Sequence, residues 1–255
     1  MTVNIMYDFT LNWTRLPLEN GNNFREIGGY PGDDEKIIQY HRFIRASNTS
    51  RLTDNDIAFL KGYGVTADID LRSRAEISAS PDRLEGVEGI DYRIIPFAGN
   101  QPVDTDNLAY QRLTLSIAKL YVREMIEQTD AVRDIFNYIA QAPEGCILFH
   151  CHAGKDRTGV LAMLLMYLAG ADKEDCMSNY EQSYSNLRRG NIFYASHLTD
   201  PGDEDSAEFL FSRPDTIMQC YEFIENKYAG VLPYLYDCGV SEQDILKVKS
   251  RLLDP

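Results

Sequence analysis

One stretch constrains the fold more than any other: a continuous apolar run, then a polar loop, then a helix that is apolar nearly all round. Cys146-Ile147-Leu148-Phe149 has strand length and no polar alternation, the pattern of a strand covered on both faces of a sheet. Residues 150–156 form a polar loop containing a glycine. From Arg157 to Ala169 the spacing predicts a helix carrying Val160, Leu161, Met163, Leu164, Leu165, Met166 and Leu168. A helix with so little polar surface lies deep in a core. A buried strand and a buried helix together require layers above and below a sheet. The expected fold is therefore α/β, with three layers, a mostly parallel central sheet and helices on both sides.

The rest of the chain fits one domain spanning 1–255. The first 30 residues are turn-rich, with Asn20-Gly21-Asn22-Asn23 and Gly28-Gly29, and are expected to wrap the surface before the first regular strand. Strands are expected at Phe43 to Ala46, Val65 to Leu71 and Ile90 to Phe97. Thr53 with Asp56 reads as a helix start that continues to Gly62. Leu108 to Ala140 reads as one or two long helices, and the chain is helical again from Asp172 to Arg189. Gly190 to Pro214, with Asp200-Pro201-Gly202 and a cluster of acids, reads as an insertion, so a helical lid is expected at about 185–214. Three helices fill Asp215 to Leu253, the last capped by Ser241-Glu242-Gln243-Asp244.

Strand, loop and buried helix are also an architecture for holding an anion, because a helix N-terminus presents unpaired amide hydrogens. The loop reads His150-Cys151-His152-Ala153-Gly154-Lys155-Asp156-Arg157-Thr158-Gly159. A turn of this length can curl its amides toward one point and form a nest for a tetrahedral dianion, with His152, Ala153, Gly154 and Lys155 as its wall. The same field favours a thiolate at Cys151, which makes it the candidate nucleophile. Arg157 offers a planar fork for two phosphate oxygens. Thr158 is placed to hydrogen-bond the Cys151 sulfur as it leaves, and Gly154 lets the backbone approach the anion closely. A nucleotide P-loop is excluded: Phe149 stands where its first glycine belongs, and Asp156 where Ser or Thr is required. Adjacent His150, Cys151 and His152 diverge too much to hold zinc, so neither a metal nor a cofactor is expected.

The formal net charge of −14 disfavours nucleic acid and anionic membrane as partners. It also opposes a phosphorylated substrate, so the site must win locally, over about the 8 Å Debye length of physiological salt. The five cysteines, Cys146, Cys151, Cys176, Cys220 and Cys238, form no CxxC pair, which fits free thiols in a reducing compartment. No signal peptide and no apolar run of membrane-spanning length is visible. A cytoplasmic location is expected, with export lacking a visible signal left open.

The loop resembles the signature of the cysteine-based protein tyrosine phosphatase superfamily. Its HC-x-A-G-K-D-R-T-G form is similar to the bacterial atypical phosphatases that act on phosphotyrosine and phosphoinositides. Asn23-Phe24-Arg25-Glu26-Ile27-Gly28-Gly29 resembles that family's N-F-R-D-x-G-G segment, with Glu for Asp. Ile69-Asp70-Leu71-Arg72-Ser73 with Glu76 resembles its D-L-R-S-x-x-E segment, and Tyr228-Ala229-Gly230 through Tyr234-Leu235 and Val240 its closing helices. The resemblance implies two-step hydrolysis of a phosphate monoester, with a phosphoprotein or phosphoinositide as substrate and inorganic phosphate as product. It further implies that Lys155 places a second positive charge beside Arg157 for substrates bearing several phosphates, unless Lys155 merely pairs with Asp156. Through the family's R-S-[GA] segment Arg45 would touch the site; a structural pair with Glu26 is the alternative. The W-P-D loop that carries the general acid in many tyrosine phosphatases is absent, since Trp13, the only tryptophan, precedes Thr14 and Arg15. Two acids remain: Asp156 in the loop, as acid or as a group orienting Arg157, and Asp70 at a strand end, as acid or as a group orienting Arg72 or the loop. A rhodanese-type sulfurtransferase and a catalytically silent phosphate-binding module are the competing readings.

Overall fold

The computed structural model describes residues 8–97, 122–123, 125–189 and 212–255, with only the backbone of Arg188 and Arg189. Its sheet runs in the order β1-β2-β5-β3-β4, from β1 (Arg25–Glu26), β2 (Phe43–Ala46), β3 (Val65–Asp70), β4 (Asp91–Ile94) and β5 (Cys146–His150). β2, β5, β3 and β4 are mutually parallel, and only β1 is antiparallel to its neighbour. The mostly parallel α/β architecture expected from the sequence is the one observed.

β5 is central and its side chains divide the core in two. Ile147 and Phe149 point to one face, beside Phe43, Ala67 and Ile69. There the buried helix α4 (Asp156–Leu168) lies, surrounded by residues of α3 (Thr129–Gln141), α5 (Lys173–Arg189), α6 (Pro214–Tyr228), α7 (Val231–Asp237) and α8 (Glu242–Leu253). Cys146 and Leu148 point to the other face, beside Ile44, Ala46 and Val65, under Phe59 and Leu60 of α1 (Asp54–Gly62). Val65 pairs with Cys146 and Ala67 with Ile147, so one extra residue, Thr66, interrupts the ladder. This irregularity switches which residues of β3 face which layer.

The capping signals read from the sequence are used. The Thr53 hydroxyl accepts from Asp56 N while Asp56 accepts from Thr53 N, and Ser241 caps α8. The same chemistry starts α2 (Arg74–Ala79): Ser73 and Glu76 form a reciprocal capping box. The first 30 residues do not merely wrap the surface. β1 pairs with β2, and Leu16, Phe24 and Ile27 are buried in the core, because apolar residues flank the turn-rich segments. The expected lid lies outside the described residues except for its two ends, as does the first part of the helical region expected from Leu108 to Ala140. No helix among the described residues is long and apolar enough to cross a membrane.

Beneath the C-terminal ends of β3 and β5 lies a buried charge network. Arg72 donates from Nε and Nη2 to Asp70 at 2.7–3.1 Å and from Nη2 to Asp82 at 3.2 Å. The Tyr92 hydroxyl also donates to Asp70, at 2.9 Å. His150 Nε2 is 3.0 Å from Asp82 and 3.5 Å from Asp68. Burial pushes the Asp68 carboxyl up to about 7 against the attraction of His150. Burial alone would push His150 down, but its carboxylate neighbours hold it well above its ordinary value. Arg72→Met would leave Asp70 buried without the guanidinium it binds and Asp82 with His150 alone, and is expected to cost about 3–5 kcal/mol of stability, read as a lower urea midpoint at unchanged slope.

Candidate active site

Cys151 follows the last residue of β5 and is only 2% exposed, so a reacting phosphate must descend to it. The loop 151–155 then delivers the chain to the N-terminus of α4. Each carbonyl along this loop is held from outside. The Asn48 N–H and Nδ2 both donate to His152 O at 3.1 Å. Asn23 Nδ2 donates to Ala153 O at 3.1 Å and Gly154 O at 2.9 Å. Arg45 Nη2 donates to Gly154 O at 3.0 Å and Lys155 O at 3.2 Å. In a planar trans peptide the N–H points opposite the C=O. Holding four successive carbonyls outward therefore turns the amides of residues 153–156 inward, where they join the unpaired amides of the first turn of α4.

Two glycines permit this geometry. Gly154 has φ +66°, and a Cβ there would collide with Ala46 O on β2. Gly159 lets α5 approach: a Cβ would lie 2.8 Å from the Tyr180 ring. Asn23 is also left-handed, at φ 58°, a conformation that asparagine tolerates better than most residues.

The electrostatics favour a nucleophile. Burial alone would raise the Cys151 thiol, but the charge of Arg157, the Thr158 hydroxyl and the amides of Thr158 and Gly154 outweigh it and bring the thiol below its ordinary value. Cys146, buried in the sheet, is pushed well above, because desolvation and Glu26 outweigh the pull of Arg42 and Arg251. Arg157 is locked from behind by Glu76, which accepts from Nη1 at 2.8 Å and Nη2 at 2.7 Å. Desolvation opposes the Glu76 charge, yet its bonds to Arg157 hold the carboxyl down at about 2. Asp156 is pushed up to about 7, with desolvation the largest cause, against Arg157, Arg45 and a hydrogen bond from Tyr180. Its side chain is 38% exposed and Lys155 Nζ lies 2.5 Å away, and both temper that rise; the upward direction follows from its seat at the loop mouth.

The structure brings Cys151, Asp156, Arg157 and Thr158 together around the loop. His152 is exposed at its rim, and partial desolvation of the ring pushes its imidazole down. Lys155 is buried against Asp156, with its ammonium 5.9 Å from the Tyr180 ring centroid. Arg45 lies under the loop and is fully buried; it does not pair with Glu26, whose carboxylate accepts from His41 N at 2.9 Å. Asp70 is fully buried, bound by Arg72 and Tyr92. Asn48, Asn179, Tyr180 and Ser183 are site residues that the sequence alone did not single out. Only the polar spacing of Asn179 and Ser183, one turn apart on α5, hints at them. Asn23, Arg25 and Glu76 stood in the quoted segments without a role.

Asp68, Asp82 and His150 are the one group among the described residues whose ligand atoms lie close enough for a metal ion, within 4.8 Å. Arg72 already places a cation 3.2 Å from Asp82. The loop itself offers Cys151, Arg157, inward amides and the Asp156 carboxyl.

Comparison with known proteins agrees with this chemistry. The Tyrosine phosphatase family matches residues 16–254. A tyrosine-protein phosphatase of Nostoc commune is 33% identical over 82% of this chain and 74% of its own length. The triple specificity protein phosphatase PtpB of Mycobacterium tuberculosis is 24% identical over 91% of this chain and 96% of its own. The crystal structure of P. aeruginosa TpbA aligns with 71% of this chain and 92% of that one at 13% identity and a TM-score of 0.33, too loose a likeness to bear on the site. With nearly its whole length matched and its thiol, arginine and amide nest assembled in one loop, this chain belongs to the Tyrosine phosphatase family.

Proposed function

We propose that the protein hydrolyses phosphate monoesters through a cysteinyl-phosphate, acting on phosphotyrosine proteins and phosphoinositides. The observation that carries this reading is the convergence on one point of a thiol held below its ordinary pKa, a guanidinium fixed by Glu76 and four inward amides. In the first step the Cys151 thiolate attacks phosphorus in line, the P–O ester bond breaks, and Asp156 gives its proton to the leaving oxygen. In the second, water attacks phosphorus, Asp156 takes the proton back, the P–S bond breaks and inorganic phosphate leaves. Thr158 donates to the departing sulfur. Arg157 and the amides hold the equatorial oxygens, where charge is greatest in the transition state.

Asp156 suits the acid role because it stands in the loop itself with its carboxyl already raised toward neutrality. A phosphate dianion beside it raises it further, since like charges disfavour ionisation. The contacts of Asp70 with Arg72 and Tyr92 support the orienting role instead. Lys155, beside Arg157 in the loop, would leave Asp156 to meet a second phosphate. The name of PtpB, a triple specificity phosphatase, supports a range wider than phosphotyrosine.

Phosphate release from a phosphotyrosine peptide and from phosphoinositides is expected to survive EDTA and to fall by more than about 10³-fold in Cys151→Ser; unchanged release in that variant would refute the mechanism. Thiosulfate-dependent consumption of cyanide is expected to be absent. Asp156→Asn should lower kcat by about 10²–10⁴-fold. The wild-type rate should decline as pH rises through about 7 and above, as Asp156 loses its proton, and that alkaline limb should vanish in the variant. Lys155→Met should raise KM several-fold, about one ion pair's worth, for a phosphoinositide with neighbouring phosphates, and leave KM for the phosphotyrosine peptide nearly unchanged.

A further inference from the structure

Two arginines lie side by side under the loop, and neither has a carboxylate within ion-pair distance among the described residues. Arg25 and Arg45 are directly opposed in the β1–β2 pair, and both are fully buried. Arg25 donates to Asn23 O and Oδ1, to Asn179 O at 2.8 Å and to Ser183 Oγ at 2.8 Å. Arg45 donates to Asn179 Oδ1 at 2.7 Å and to the carbonyls of Gly154 and Lys155. All of these acceptors are neutral. The Nε–H of each arginine is buried and finds no acceptor among the described residues. Buried charges are almost always paired, so two unpaired guanidiniums in contact with one residue, Asn179, call for an anion.

The charged and titratable groups around the pair are few. Tyr30, Tyr180, Cys151 and Asp156 act on Arg45, and Tyr30 on Arg25. Asp156 is engaged with Lys155 and Tyr180. What remains is the thiol and whatever the loop binds. We propose that Arg45 is a positioning residue of the reaction, and that Arg25 behind it completes a buried cationic base whose counter-charge is the anion in the loop, the Cys151 thiolate in the free protein and phosphate in the loaded one. Arg45 acts in two ways. Its fork turns the Lys155 and Asp156 amides toward phosphate, and its charge, with that of Arg25, holds the thiolate. Burial drives Arg45 down only to about 10 and Arg25 well below its ordinary value, consistent with strain that an anion relieves. This inference rests on Cys151 being the nucleophile.

Asn179→Asp tests it with one nearly isosteric change. A carboxylate at Asn179 Oδ1 would give Arg45 a fixed partner, beside Arg25 on the same residue's backbone carbonyl, and relieve the pair of the loop anion. The readouts are the pH dependence of Cys151 alkylation by iodoacetamide, followed on the Cys151 peptide by mass spectrometry, and the melting temperature with and without inorganic phosphate. The expected result is a thiol titrating about one unit higher, hence about tenfold slower alkylation below both values. Melting should occur at a higher temperature in phosphate-free buffer, with a smaller upward shift on adding phosphate. Asn179→Ala removes the acceptor without adding charge, so it should lower the melting temperature and leave the alkylation profile in place. The proposal is overturned if Asn179→Asp melts lower or fails to fold, if its alkylation profile matches wild type, or if the alanine variant shifts the profile equally. None of these readouts needs turnover, so a protein that hydrolyses no phosphate ester would defeat the proposed function while leaving this test intact.

Discussion

The site depends on a row of hydrogen bonds that never touch a substrate. Asn48, Asn23 and Arg45 pull the carbonyls of residues 152–155 outward, and rigid peptide planes convert that pull into inward amides. Without the outer row, nothing would keep those amides turned inward. The acceptors and donors come from three remote parts of the chain: Asn23 before β1, Arg45 and Asn48 in and just after β2, and α5 behind them through Asn179. The parallel sheet is what brings these together. β2 lies beside β5 in register, with Arg45 opposite Phe149 and Ala46 opposite His150.

A molecule with a net charge of −14 thus concentrates cations at this loop, where solvent cannot screen them. Arg25 and Arg45 are wholly buried, Lys155 is nearly so, and Arg157 is pinned by Glu76. In a low-dielectric interior each charge acts over a longer range than the surface acids do. The acidity of the surface and the cationic floor of the loop therefore operate on different length scales.

Much of this was legible in the sequence. The unbroken apolar run Cys146 to Phe149 and the all-round apolar helix fixed the sheet's centre, because full burial leaves no other pattern. The loop between them exposed its chemistry through spacing alone. α2 went unread although Ser73 and Glu76 spell a capping box, since a helix of so few residues carries little periodicity. The supporting contacts were less visible for a plainer reason: Asn23, Arg45, Asn179 and Ser183 meet only after folding, and polar residues at isolated positions look the same whether they face water or a carbonyl. Arg45 was picked out with an uncertain partner, and burial resolved it in favour of the loop over Glu26.

The extra residue in β3 has a reach beyond its own strand. By letting Val65 and Ala67 face opposite layers, it sends Ile69 toward the apolar helices and leaves Asp68 and Asp70 on the side where His150 and Arg72 wait. A sheet strand has only two phases, and bulging Thr66 out of the ladder keeps Ala67 to Asp70 in the phase that suits both layers. Were Thr66 drawn into the ladder instead of bulging from it, Ala67 and Ile69 would exchange layers with Asp68 and Asp70, so the bulge that keeps Val65 against Cys146 and Ala67 against Ile147 is what lets this strand carry one residue more than its partner.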